Sequence, residues 1–184
     1  MPELPGHLLT PPAQPVSAVI ALGSNLGDSQ QILAETVAAF RSHDQISVTA
    51  ASPLAHTAPV GGVAQPDFLN QVLLIETALA PWALLQFGHD LEQHAARVRD
   101  IRWGPRTLDV DLIVYDDVTS DHPDLMLPHP RAQERAFVLT PWSWADPNAV
   151  LDGTPVAELA AAADDAATVI QFEPEPPVPG SEQA

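Results

Sequence analysis

Asp109 and Asp111 lie in the stretch RTLDVDLIVYDD (106–117), two carboxylates one residue apart in a run where apolar residues alternate. Successive side chains of a β-strand point to opposite faces, so this pair projects from one face, about 7 Å apart along the strand. Two like charges that close are unfavourable unless a cation stands between them. Mg2+ suits the position: it takes oxygen ligands, keeps several waters, and is commonly held by one or two carboxylates plus substrate phosphates. Just before the pair come Arg102 and Arg106, with Trp103 between them and Gly104-Pro105 shaping the loop. Carboxylates for a metal, arginines for phosphate and an aromatic for a flat ring describe a nucleotide-dependent transferase. An isolated D-x-D is also what a solvated strand face looks like, and only its neighbours favour the metal.

Charge placement points the same way. The 184 residues carry a formal net charge of −17 and no lysine, yet six of seven arginines (Arg97, Arg99, Arg102, Arg106, Arg131, Arg135) fall within 39 residues. Biased codon usage can remove lysine but does not cluster arginine. On so acidic a surface a nucleic acid would be repelled, whereas a small polyanion can be received by a concentrated Arg set. Arg suits phosphate because its planar fork donates paired hydrogen bonds. Length and a 46% hydrophobic composition indicate one folded domain. No apolar run approaches the roughly 20 residues that span a bilayer. The start, MPELPGHLLTPPAQP, lacks the basic and apolar regions of a signal peptide. Zero cysteines exclude disulfides and thiolate metal sites and fit a cytoplasmic location.

Other candidates divide between chemistry and structure. GSNLGD (23–28) lacks the lysine and spacing of a phosphate-binding loop, and a strand-to-helix turn capped by Asp28 is the better local account. His129, in LPHPR, can be a loop histidine or a phosphate contact, with Arg131 and Arg135 following closely. Asn70 sits in a strand, where Asn is disfavoured; a buried amide there must be satisfied, and a heterocycle with matching donors and acceptors can do so. His89 and Glu92, three apart on a helix, either pair outward or face the arginines. Trp142 and Trp144 lie on an expected C-terminal helix and are read as core in preference to a ligand platform.

The elements that must position these groups follow from periodicity and punctuation. Residues 1–15 are Pro-rich and expected to be disordered. VSAVIALGSN (16–25) is a buried strand, followed by a helix to about Arg41, a strand at 45–52, a long loop at 53–66 and a strand at 68–79. Pro81 opens a helix to about Ala95 or Ala96, and 107–115 is the next strand. The order β-α-β-β-α-β predicts an α+β, ferredoxin-like antiparallel sheet with helices on one face. Residues 118–134 look irregular. RAFVLTPWSWA (135–145) reads as a short strand or turn leading into a helix and 154–163 as a further Ala-rich helix, an added C-terminal helical segment. The domain ends near 170, and 171–184 is a disordered acidic tail by composition.

Four strings, ALGSNLGD, DFLNQVLLIET, RVRDIRWGPRTLDVDLIVYDD and LPHPRAQERAFVL, together resemble 6-hydroxymethyl-7,8-dihydropterin pyrophosphokinases, over roughly residues 16–150 and in the right order. The resemblance implies a ferredoxin-like fold and transfer of pyrophosphate from ATP to the pterin hydroxymethyl group, with release of AMP, in folate biosynthesis, with two Mg2+ ions. It implies that Asp109 and Asp111 hold both metals, and that Thr57, Pro59, Val60, Phe68, Asn70, Trp103 and Phe137 form the pterin pocket. Arg97 and Arg106 would meet the phosphates. Arg99, His129, Arg135, Glu92 and His89 would serve ATP, and Leu112 would offer backbone atoms to the adenine. His89 stands where members often carry Gln, and Ala96 replaces a frequent Gly. The expected partners are ATP and the pterin, with no nucleic acid and no membrane, for a monomeric enzyme.

Two rivals use the same residues differently. A D-x-D also holds metal and nucleotide-sugar in glycosyltransferases, but usually after a Rossmann-like series, which the strand order here does not give. A non-catalytic pterin or nucleotide module is the other, and the intact Asp pair and arginines speak against it.

Overall fold

A computed structural model of the chain describes residues 2–59, 64–98 and 107–174, with Arg97 and Val98 by backbone alone. In chain order these form α1 (Gly6–Leu9), β1 (Val16–Ser24), α2 (Ser29–Ser42), β2 (Ile46–Ala51), β3 (Ala55–Thr57), β4 (Phe68–Thr77), α3 (Pro81–Val98) and β5 (Asp109–Tyr115). Then come β6 (Ser120–His122), β7 (Leu125–Leu127), α4 (Ala136–Ala145), β8 (Val150–Leu151), β9 (Thr154–Pro155), α5 (Val156–Ala162) and β10 (Val169–Gln171). Short 3-10 turns occupy Ala132–Glu134 and Ala166–Thr168.

β4 is the backbone of the sheet. One edge pairs β1 from Val16↔Thr77 to Ser24↔Leu69; the other is shared by β2, at Ile46↔Thr77, and β3, at Ala55↔Asn70. β5 lies on the far side of β1, β10 extends the sheet beyond β3, and all these neighbours are antiparallel. Local chemistry sets the element ends. Asp28 caps α2 by accepting the Gln31 N–H at 3.1 Å, and Pro81, which needs no N–H partner there, opens α3.

The expectation of helices on one face is corrected. Ala18, Ile20 and Leu22 of β1 pack under α2 and α3 with Phe40, Leu73 and Leu84. Val19 and Ala21 point the other way, joining Val72, Ile113, Val138, Leu139, Trp142 and Val156 beneath α4 and α5. The unbroken apolar run of β1 is the physical reason: a strand without polar alternation must be covered on both sides.

Three segments hold more structure than their composition suggests. Residues 1–15, expected to be disordered, carry α1, whose Leu8 is fully buried; Leu8 and Leu4 join the core, while Leu9 is left exposed. The loop 53–66 contains β3, held between β4 and β10. Residues 118–134, expected to be irregular, form the β6–β7 hairpin and a 3-10 turn. The C-terminal segment also adds β10 to the sheet, and the Phe172 N–H donates to the Leu54 carbonyl at 2.8 Å, two residues beyond the expected domain end. Most of the acidic tail, 175–184, lies outside the described residues.

Candidate active site

β5 places its carboxylates on the sheet face shared with α4 and α5. Val110 and Leu112 enter the core beneath α3, while Asp109 and Asp111 are partly exposed on the opposite side. Their neighbours on β1 are the smallest available: Gly23 opposite Asp109 and Ala21 opposite Asp111. That leaves open space above the sheet beside both carboxylates. A register shift between Val19 and Ile20 leaves Ile113 between the paired residues Leu112 and Val114, and its side chain continues the face of Asp109 and Asp111 into the α4 side of the core.

The free edge of β5 is braced. The Val110 N–H donates to Glu92 Oε1 at 2.8 Å, and the His129 N–H donates to the Ile113 carbonyl, also at 2.8 Å. Gly88 lets α3 come close enough, since a Cβ there would meet Val110 Cγ1 at 2.9 Å. Burial raises the Glu92 pKa against the opposing effects of the Val110 bond and His89, and Asp109 and Asp111 push it up further. Leu112 buries its side chain, which leaves only its backbone for the expected contact; by alternation with Val110 it faces the same free edge. His89 is a half-buried neighbour of Glu92 on α3.

On the other side of β1, Asn70 stands opposite Gly23 in the β1–β4 pairing. Its Nδ2 donates to Thr57 Oγ1 at 2.8 Å, both side chains being buried, and a Cβ on Gly23 would fall 2.9 Å from Asn70 Oδ1. The glycine is therefore a packing requirement of the asparagine. Phe68, two residues earlier on the strand, shares the face of Asn70. The turn after β1 fixes the adjoining loop: buried Asn25 donates to Gln65 Oε1 at 3.0 Å and to the Pro66 carbonyl at 3.2 Å.

The opposite wall comes from α4. Arg135 is its N-cap, with the guanidinium 5.4 Å from the centre of the Phe137 ring. His129 is half-buried, and its Nδ1 accepts the Arg131 N–H at 3.3 Å, which places the proton of the neutral ring on Nε2. Burial lowers the His129 pKa; Asp111 opposes this, and Arg135 and Arg131 reinforce it.

Between these walls is a cleft of about 1040 Å³, lined among others by Thr57, Phe68, Asn70, Asp109, Asp111, Arg135 and Phe137. These expected residues thus meet in one place. Pro59, Leu112, His129, Glu92 and His89 are not among its lining. Val60, Arg99, Trp103 and Arg106 lie outside the described residues, and Arg97 is described only as the penultimate residue of α3. Gly23, Gln65, Gln133 and Asp165 line the cleft without having been expected. Gly23 carried a signal, a glycine ending a buried strand; Asp165 carried none.

A family model described as 7,8-dihydro-6-hydroxymethylpterin-pyrophosphokinase matches residues 19–147. The chain belongs to this family. A pyrophosphokinase of Bacillus subtilis is 42% identical over 124 residues, covering 67% of this chain and 74% of the relative, and is named for 2-amino-4-hydroxy-6-hydroxymethyldihydropteridine. One of the same name from Pseudomonas aeruginosa is 41% identical over 144 residues, covering 78% and 89%. Among solved structures, the Plasmodium falciparum HPPK-DHPS protein matches with a TM-score of 0.66 at 13% identity; 84% of this chain spans 46% of that one, a likeness of fold. This member is an ATP-dependent diphosphotransferase, moving a pyrophosphoryl group from ATP to hydroxymethyldihydropterin in folate biosynthesis.

Proposed function

We propose that the cleft carries out this transfer with the pterin on the Asn70 side and the phosphates on the Asp109 side. The observation that carries the proposal is the row Asn70–Gly23–Asp109 across three strands, with Asp111 beside it. At the usual strand spacing the amide and the carboxylate are about 10 Å apart, room for a bicyclic ring carrying a hydroxymethyl arm. Thr57 takes one Asn70 proton, so the second proton and the carbonyl oxygen can meet the pterin edge. Phe137 and Phe68 offer apolar cover for the ring, with Trp103 completing the stack by resemblance.

Asp109 and Asp111 suit magnesium. They are two oxygen donors on one face, beside residues too small to obstruct, and Mg2+ typically takes only one or two carboxylates and completes its shell with phosphate and water. Two such ions, when bound, would stabilise the entering and leaving oxygens. The residues themselves orient and neutralise. Arg135 waits at the start of α4 for a phosphate, His129 Nε2–H is available as a donor, and Arg97, Arg99 and Arg106 are assigned to the polyphosphate by resemblance. The pterin hydroxymethyl oxygen forms its bond to the β-phosphorus as the bridging oxygen leaves with AMP, and the hydroxyl proton is released. Among the described residues no side chain stands out as a general base, so positioning carries much of the rate.

The strand order β5-β1-β4-β2, with α2 and α3 on the crossovers, supports a ferredoxin-like classification. Monomeric, cytoplasmic operation without nucleic acid or membrane belongs to the same reading; among the described residues no helix is long and apolar enough to cross a membrane. The test is AMP release from ATP and Mg2+ as a function of added hydroxymethyldihydropterin. Release that ignores the pterin, or persists fully with a chelator, would overturn this account of the cleft.

A further inference from the structure

α4 presents Arg135 and Phe137 to the cleft, yet its N-cap residue contributes no side-chain hydrogen bond to the first turn. The Ala136 N–H instead donates to Asp165 Oδ1 at 2.9 Å, a residue 29 positions further along the chain. Asp165 and the residues just before it line the same cleft. Its backbone is pinned in turn: the Thr168 N–H and Oγ1 donate to the Asp165 carbonyl at 3.0 and 2.7 Å. From there the chain enters β10, where Val169 pairs with Thr57, the residue that holds Asn70. One short segment, 165–169, therefore ties the wall bearing Phe137 to the strand bearing the pterin-side hydroxyl. It lies beyond residue 147, where the family match ends.

We propose that Asp165 is a positioning residue for the pterin acceptor: its carboxylate clamps the first turn of α4 and so fixes Phe137 and Arg135 against Asn70 and Thr57. This rests on the assignment of the pterin to this cleft. An ionised acceptor on a helix-start N–H forms a charge-assisted bond and also favours the positive end of the helix dipole. Without it, the first turn can fray and the ring that faces the acceptor loses its fixed place.

Steady-state kinetics of the full chain test this, with KM measured separately for hydroxymethyldihydropterin and ATP, beside a thermal melt of each variant. Asp165→Ala should raise the pterin KM roughly five- to tenfold, the range expected for losing a helix-start acceptor. kcat should stay within about threefold, in protein that remains folded at the assay temperature. Asp165→Asn keeps the acceptor oxygen and should stay within about twofold of the parent. Asp165→Leu, of similar size without an acceptor, should behave like Ala and serves if Ala does not fold. A pterin KM within about twofold of the parent in Ala or Leu overturns the clamp, as does Asn failing as badly as Ala. Loss of the fold in both Ala and Leu makes Asp165 merely structural and also overturns it. A parent protein with no pterin-dependent AMP release would instead remove the assignment of the cleft.

Discussion

Asn70 and Asp109 flank Gly23 in a single row across β4, β1 and β5, so one glycine spaces the buried amide from the first carboxylate. Nothing but hydrogen fits at that position without moving Asn70 Oδ1.

Gly23→Ala should therefore act on the acceptor before it acts on the nucleotide. The new methyl group, 2.9 Å from Asn70 Oδ1, must push an amide that is already bonded to Thr57. Overpacking of this kind typically costs about 1–3 kcal/mol. The pterin KM is expected to rise at least tenfold with a smaller change for ATP, alongside a lower thermal midpoint. Unchanged pterin KM would mean that Asn70 does not contact the acceptor.

Asp109→Ala and Asp111→Ala should each abolish turnover while leaving the protein folded. Each removes one of the two cleft-facing carboxylates of β5, and losing a metal ligand in a two-metal site should cost several kcal/mol of transition-state stabilisation. Relief of like-charge repulsion should leave the metal-free melting temperature equal to or above that of the parent. Turnover within about tenfold of the parent in either variant would sink the metal assignment.

Much of this site is legible in the sequence because its signals are local. The alternation around Asp109 and Asp111 fixes their common face, the strand of Asn70 is plain from its apolar run, and Arg135 and Phe137 stand two residues apart. What is not legible depends on distant partners. β3 is only three residues long and stands in a Pro-rich loop; it exists because β4 holds one edge and β10, more than 100 residues away, holds the other. The Asp165–Ala136 bond is likewise long-range, and no pattern around Asp165 announces it. The cover on the second face was signalled, by the lack of polar alternation in β1, but the topology alone did not demand it.

Tyr115, at the end of β5, gives a pH prediction away from the carboxylates. Its hydroxyl donates to the Leu79 carbonyl at 2.6 Å, tying β5 to the turn before α3. Burial, reinforced by Asp116, pushes its pKa up to about 12 from an ordinary value of 10. The folded state thus holds this proton more tightly than the unfolded chain. Its contribution is complete below about pH 10 and is lost as pH rises toward 12. The parent should lose stability across that window more steeply than Tyr115→Phe. Parallel pH profiles for the two proteins would show that the phenol is not so held.

The arginines are expected to divide by when they act. Arg135 is fixed before any nucleotide arrives, at the N-cap of α4 and against the Phe137 ring. If Arg135 serves ATP as proposed, a group preorganised in this way would meet the resting nucleotide, so Arg135→Ala should mainly raise the ATP KM. Arg97 and Arg106 bound the arginine-rich stretch that precedes the carboxylates, and the resemblance assigns them to the phosphates. If their work is on charge that develops only as the β-phosphorus changes partners, their loss must appear in kcat rather than in binding. Arg97→Ala and Arg106→Ala are expected to lower kcat about 100-fold, about 2.7 kcal/mol, with nucleotide affinity changed much less. Lysine should rescue either position poorly, since an ammonium cannot reproduce a fork that grips two oxygens at once. A large loss of ATP affinity with kcat preserved would place Arg97 and Arg106 with Arg135, as part of the cradle and not of the catalyst.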